Sequence, residues 1–378
     1  MKILKASEYP TSVIDLINCK SKEILSYNAL LNMFFEFCYA ESNFFKLNIE
    51  ENKSFKVEEI ISNNEKLQTQ WAFENQIKFT RNNWFYDILF AQIEKFRPNV
   101  FFAHDRKCLN KEFILKVRNS IPEVELIIAW DGVDLKDSNL YSTADVVLTP
   151  VEFITENYKK LGLKSYTLPF AFEKTINTKI KSIQLMTDLS FVGSVFIGKG
   201  SHNKRREYLM ELSRAGFKDF NLSGSCDVFD DILSKKTASL IKNEGLTGLW
   251  NAYQLKRISK GSLYGLDMYN KFACSKIVLN THIDLAGNNA GNIRLFEATG
   301  VGSCLLTDYK ENLTNYFKID EEIVVFKNKG ELIEKVNFLL KNEKIREKIA
   351  KAGQKKTIEH HNYNFRSKKL IEIININI

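Results

Sequence analysis

The sequence predicts an α/β protein made of two doubly wound, parallel-sheet domains in tandem. Three observations carry the prediction. Short apolar runs, of strand length, alternate with helix-period stretches along the chain. The alternation pauses after Pro169 and restarts at Asp188. The 378 residues are enough for two domains of ordinary size.

In the first half, strands are expected at Lys2–Ala6, Val100–Ala103, Leu126–Trp130 and Asp145–Leu148. Val100–Ala103 leads into a helical Lys111–Asn119. Asp145–Leu148 leads into Val151–Leu161, which stops at Gly162, a normal helix end. These are βα units of a parallel sheet. A short strand at Tyr166–Ala171, broken by Pro169, fits a domain exit, and the polar Glu173–Ser182 fits a linker. The predicted boundaries are 1–172 for the first domain, 173–187 for the linker and 188–355 for the second domain. A C-terminal helix over 356–378 has the option of crossing back to the first domain.

The second series starts with a strand at Leu189–Val192, a loop Gly193–Asn203 and a helix Lys204–Ala215 closed by Gly216. Further strands are expected at Phe220–Leu222, Ile277–Leu279, Ser303–Thr307 and Ile323–Phe326. Leu332, Ile333, Val336, Leu339 and Leu340 line one helical face, and Ile345, Ile349 and Ala352 continue the pattern. Two such domains imply a cleft, because ligands of doubly wound sheets bind beyond the carboxyl ends of the strands.

Composition excludes several function classes. A hydrophobic fraction of 44% with 26% charged residues is that of a soluble globular chain. The six cysteines contain no CxxC pair, so zinc and iron–sulfur ligation have no support. They read as scattered thiols in a reducing compartment, with Cys304 in the core. Met1–Leu4 lacks the apolar stretch of a signal peptide, and no segment has the length of a spanning helix. A cytoplasmic location is expected. The net charge of +8 is concentrated in residues 327–369, which hold 13 Lys/Arg against 5 Asp/Glu. A solvated helical face is the favoured reading, and contact with anionic lipid at the inner face of the cell membrane is the other. No nucleic-acid-binding signature accompanies the charge, so nucleic acid is not an expected partner.

The most informative stretch runs from Gly287 to Gly302, through Asn288, Asn289, Gly291, Asn292, Arg294 and Glu297, into the strand Ser303–Thr307. A Gly/Asn-rich loop feeding a helix lets backbone amides approach a phosphate. Arg294 offers a cationic fork suited to a diphosphate. Glu297, three residues on, shares its helical face and suits a ribose diol. The same two residues also have the spacing of an intrahelical ion pair.

This stretch resembles the C-terminal domain of the CgeB-type glycosyltransferases, a branch of the GT-B fold. The resemblance runs from Met268-Tyr269 through Ser275–Asn280, Asn292–Ala298 and Leu306–Asp308 to Ile349–Gly353 and Tyr363–Arg366, about a quarter of the chain. Asp188–Ser194 with Arg205-Arg206 looks like the opening of that domain. The resemblance implies two Rossmann-like domains facing across a cleft and a nucleoside-diphosphate sugar as donor. It implies that Gly193 and Ser194 approach the diphosphate, that Arg205 or Arg206 helps neutralise it, and that Glu297 holds the ribose. Many retaining GT-B enzymes carry a second Glu eight residues earlier. Here that position is Asn289, which leaves the donor-sugar contact and the stereochemistry open.

In the first half, Val100–Ala103 ends in His104-Asp105, which looks like the His-bearing strand end of GT-B sugar transferases. Histidine suits proton transfer near neutral pH. Asp131, after the strand Leu126–Trp130, is a candidate base toward an acceptor hydroxyl, alone or with Asp134. An Asp-Gly turn is the equal alternative. The acidic stretch Asp227–Asp231 reads as surface rather than a metal site. No metal and no cofactor are expected. The expected activity is sugar transfer to a glycan, lipid-linked or protein acceptor in surface polysaccharide or glycoconjugate synthesis. A nucleotide-sugar epimerase on the same fold and a non-catalytic membrane- or partner-binding protein are the alternatives.

Overall fold

Strands form where β-branched and aromatic residues run together, and in the first half those runs assemble into one sheet. The computed structural model describes residues 1–21, 25–132, 138–181, 184–197, 202–225 and 235–378. Val133, Asp134, Ser182, Cys226 and the acidic stretch 227–231 lie outside the described residues. The chain divides into two units, Met1–Phe170 with Tyr363–Ile378, and Ala171–Asn362.

Unit 1 contains β1 (Lys2–Ser7), β2 (Lys56–Ile61), β3 (Val100–Ala103), β4 (Leu126–Trp130), β5 (Val146–Thr149) and β6 (Ser165–Thr167). They make a six-stranded parallel sheet of order β2-β1-β3-β4-β5-β6. β3, β4 and β5 are buried throughout, so they read as continuous apolar runs. Leu4, Phe101, Ile127 and Val147 pack with Phe113 and Tyr158 of the crossover helices Lys111–Ser120 and Glu152–Lys160. β2 escaped the sequence reading because Glu58 and Glu59 interrupt its apolar pattern.

The C-terminal segment expected as one helix is two. One helix, Glu343–His360, belongs to unit 2, and the chain breaks at His361-Asn362. The next helix, Tyr363–Asn377, completes unit 1. Its Tyr363 ring packs 5.1 and 5.2 Å from Phe44 and Phe45, and Arg366 Nε donates to the Pro169 carbonyl at 2.8 Å.

Unit 2 contains β7 (Thr187–Val195), β8 (Phe220–Gly224), β9 (Ser275–Asn280), β10 (Cys304–Asp308) and β11 (Val324–Phe326), all parallel, in the order β11-β10-β9-β7-β8. Its core joins Leu189, Phe191, Leu279 and Leu306 to Leu209 and Leu212 of helix Asn203–Arg214, and to Leu332, Val336 and Leu339 of helix Lys329–Lys341. Cys304 lies in this core, where burial pushes its thiol up to about 12. Part of the expected linker is built into unit 2. Ile176–Lys179 is a short helix, and Phe172 is fully buried against Gly300, where a Cβ would come within 2.2 Å of the ring.

Each sheet reverses its winding beside its first strand. β1 pairs with β2 on one side and β3 on the other; β7 pairs with β8 and β9. Beyond the carboxyl ends of those strands lies the place where doubly wound sheets bind ligands.

Candidate functional site

In unit 2, the reversal point is held by a buried arginine. Arg205 enters from the first turn of helix Asn203–Arg214 and is 8% exposed. Its Nη1 donates to the Ser194 carbonyl at 2.7 Å, its Nη2 to the Thr281 carbonyl at 2.6 Å and its Nε to Thr281 Oγ1 at 2.8 Å. It thereby ties the end of β7 to the segment after β9. Burial, with repulsion from Arg294, pushes this guanidinium down to about 10, against the pull of Asp308 and Asp284, and it stays charged at neutral pH. Ser194 Oγ lies 2.9 Å from Ser223 Oγ across β7 and β8. Gly193 precedes it because a Cβ there would come within 2.9 Å of the Phe191 ring.

The neighbouring strand ends add a polar rim. Asn280 Nδ2 donates to Thr307 Oγ1 at 3.0 Å, and Asn292 Nδ2 donates to Asn280 Oδ1 at 2.7 Å. The Asp308 carboxylate accepts from the His282 backbone N–H at 2.9 Å and sits 2.8 Å from His282 Nδ1. Burial would raise Asp308, but His282 and Lys310 hold it below the usual carboxylate range. His202, at the foot of Arg205's helix, accepts at Nδ1 from the Phe196 N–H at 3.1 Å. Burial, then Arg205, push it down to about 4, so it is neutral at physiological pH.

The Gly/Asn loop is pinned from behind. Asn312 bonds both the N–H and the carbonyl of Ala290, at 2.6 and 2.9 Å, and Asn288 exchanges bonds with Glu311. Asn289 is half-buried, its N–H bonded to the Ala286 carbonyl at 2.9 Å. Arg294 opens helix Arg294–Gly300 and pairs with Glu297 one turn later. Glu297 is 1% exposed, and its second oxygen accepts from Tyr269 Oη at 3.0 Å. Arg294 is the more accessible partner, and its guanidinium lies 5.4 Å from the Phe272 ring centre. The structure therefore brings Gly193, Ser194, Arg205, Asn292, Arg294 and Glu297 to one edge of the sheet. Asn280, Thr281, His282 and Asp308, which sequence reasoning passed over, complete that edge. Their signal was a polar triplet, Asn280-Thr281-His282, directly after an apolar strand.

In unit 1, His104 follows β3 beside the reversal point. Its ring stacks on Trp130 at 5.2 Å and 14°, and its Nε2 lies 2.9 Å from Glu41 Oε2, although the N–H is not aimed along that line. Glu41 also lies 3.6 Å from Lys5 Nζ, and Lys5 lies 3.6 Å from Glu59. Lys5, Glu41 and Glu59 are all buried. Burial would raise Glu41, but His104 and Lys5 hold it below the usual range. Burial lifts Glu59 to about 7 in spite of Lys5. The segment that delivers Glu41 is strained: Cys38, Ala40 and Ser42 have φ of 55°, 49° and 40°.

Asp131 follows β4 and is fully buried. Arg106 Nη2 donates to its Oδ1 at 2.6 Å and Tyr158 Oη to its Oδ2 at 2.5 Å. Its oxygens thus hold protein groups in place, and Arg106 is the half-exposed member of the set. Among the described residues, no helix is long and apolar enough to cross a membrane.

Residues 205–372 match the family model described as glycosyl transferase-like. No curated protein matches the chain in sequence. The fold is similar to that of a glycosyltransferase from Rickettsia africae, at a TM-score of 0.59 and 10% identity, covering 100% of this chain and 98% of that one. It is also similar to Anabaena HepE in complex with UDP-glucose, at 0.60 and 9% identity, covering 99% of each chain. Sucrose-phosphate synthase from Thermosynechococcus elongatus gives 0.52 at 10% identity, over 79% of this chain and 80% of that one. The chain therefore has the two parallel-sheet, Rossmann-like domains of GT-B glycosyltransferase structures, and the match to the glycosyl transferase-like model lies in its second half.

Proposed function

We propose that this chain transfers a sugar from a nucleoside-diphosphate sugar to a hydroxyl of a glycan, lipid-linked or protein acceptor. The observation that carries the reading is the pair of guanidinium groups, Arg205 and Arg294, held at the strand ends of a glycosyl transferase-like domain. In the reaction, the bond from the anomeric carbon to the diphosphate breaks and a bond to the acceptor oxygen forms. Negative charge grows on the leaving diphosphate, and fixed cations in a partly dry site stabilise it. Arg294 takes the diphosphate, with the backbone of Gly193, Ser194 and Asn292 beside it. Arg205 contributes its charge from behind, because three of its five N–H donors already bind Ser194 and Thr281. With two cations present, the proposed reaction needs no divalent metal.

Glu297 holds the ribose, oriented by Tyr269 and Arg294, and Asn289 faces the donor sugar. The motif run from Met268 to Asp308 supports the CgeB-type branch. In unit 1, His104 takes the acceptor's proton. Asp131 acts as a positioning group for Arg106. UDP is the first nucleotide to test, because HepE was solved with UDP-glucose.

The test is calorimetry with UDP, GDP and dTDP on the intact protein and on Arg294→Ala. Saturable binding to at least one, lost in the variant, is expected. No binding to any of them by the intact protein would sink the proposal. Incubation of the donor without acceptor separates the related chemistry: an isomerised donor means an epimerase, and an intact donor a transferase.

A further inference from the structure

Away from the strand ends, unit 2 carries a concave feature. A groove of about 930 Å³ is lined by helices Asn203–Arg214 and Lys235–Ile258. Six cations line it, Arg206, Arg214, Lys218, Arg257, Lys260 and Lys329, against one carboxylate, Glu207. Three of the six have carboxylate partners: Lys329 with Glu207 at 3.6 Å, Arg214 with Glu211 at 3.1 Å, and Lys260 with Asp219. Arg206, Lys218 and Arg257 make no ion pair among the described residues. Like charges crowded into a concave wall repel one another and focus a positive field.

Helix Lys235–Ile258 adds other chemistry beside its own cation, Arg257. Trp250 is 59% exposed and lines the groove with the amides Asn251 and Gln254. Its helix restarts after the break at Gly245, where φ is 60° and ψ −156°. A large exposed indole is a flat apolar plate, and two amides beside it offer donors and acceptors for hydroxyls.

We propose that this groove is an accessory site for an acidic glycan chain. Three points select that ligand. Arg206 and Arg214 are eight residues apart on one helix, about 12 Å along its axis, which exceeds one phosphate and fits a chain with repeated charges. Arg206, one of the cations without an ion pair, is only partly exposed within the concave lining, where a narrow chain reaches it more readily than a flat bilayer does. A single-stranded nucleic acid binder lines its groove with successive aromatic platforms, whereas in this lining the indole of Trp250 is joined by amides suited to sugar hydroxyls, and the neighbouring ring of Tyr253 lies outside the lining. The choice of glycan rests on the transferase reading; the basic groove does not.

The test is calorimetry at low salt with an oligogalacturonate hexamer, and maltohexaose as its neutral counterpart. The acidic oligomer binds the wild type and weakens as salt rises, and maltohexaose does not bind. Arg257→Glu and Trp250→Ala, both at exposed positions, each weaken binding by about tenfold or more. UDP affinity, measured on the same samples, stays unchanged in both variants. Loss of UDP binding with the acidic oligomer still bound would count against the transferase reading alone. The groove proposal is overturned if the acidic oligomer does not bind, if Arg257→Glu has no effect, or if an oligothymidylate hexamer or anionic vesicles bind more tightly through the same residues.

Discussion

The two units share an architecture and differ in the sign of the charge they fix at the same topological position. Beside β1, unit 1 buries Glu41 and Glu59 against Lys5 and His104. Beside β7, unit 2 buries Arg205 against carbonyl and hydroxyl oxygens, with Arg294 nearby. A carboxylate-rich site with a histidine suits a proton. A cationic site held by backbone acceptors suits an anion. The sheet dictates where a ligand meets the chain, and the residues after each strand decide what it meets.

Arg294→Ala is the hardest test of that contrast. UDP affinity is expected to fall at least about 100-fold, since a charge-assisted contact to a diphosphate is lost. The change also leaves Glu297 buried without its cation, so the thermal midpoint falls as well. Arg294→Lys separates the two effects: it keeps the charge and most of the stability, and loses the fork. Equal UDP affinity in all three proteins would remove Arg294 from the donor site.

Glu41→Gln probes the other side. Turnover is expected to drop by tens of fold, because His104 loses the carboxylate beside it, while UDP affinity stays as in the wild type. Steady-state kinetics with a fixed acceptor, alongside calorimetry, checks this. A parallel loss of UDP binding would mean that unit 1's cluster does not act separately.

These two sites were unequally legible. Arg294 and Glu297 lie three residues apart on one helix, so local spacing displayed them. β3, β4 and the helix after β5 were equally plain, being apolar or amphipathic runs. Lys5, Glu41 and Glu59 come from β1, a strained loop and β2, and only the fold brings them together. Lys5 left one trace, a charge inside the otherwise apolar run Ile3–Ala6. Glu59 hid β2 itself by breaking the pattern that marks a strand. The family resemblance implies that Arg205 or Arg206 neutralises the diphosphate, a solvated helix start being the alternative, and the burial of Arg205 against Thr281 needed three dimensions to appear.

Glu59 gives a pH-dependent version of the comparison. Burial lifts its carboxyl from the ordinary 4.5 to about 7. The folded chain then holds a proton that the unfolded chain has released, so stability declines as pH rises from about 4.5 to about 7. Glu59→Gln removes that titration. Denaturant unfolding at pH 5 and pH 7 is expected to show a smaller loss for the variant than for the wild type. Unit 2's Asp308, held low by His282 and Lys310 after the cost of burial, has the opposite sign: its contribution is present above the ordinary carboxylate range and fades in acid.

The smallest effect is expected at Ser194, and it asks which part of that residue matters. Its carbonyl accepts from Arg205 at 2.7 Å, whereas its hydroxyl meets only Ser223 at 2.9 Å among the described residues. Ser194→Ala keeps the carbonyl and gives up one neutral hydrogen bond, worth about 1 kcal/mol. UDP affinity should change by less than about threefold, since the backbone and Arg205 stay in place. A loss beyond about tenfold would show that the hydroxyl itself touches the ligand, and the anion site would then be read from its side chains rather than from the backbone that β7 presents.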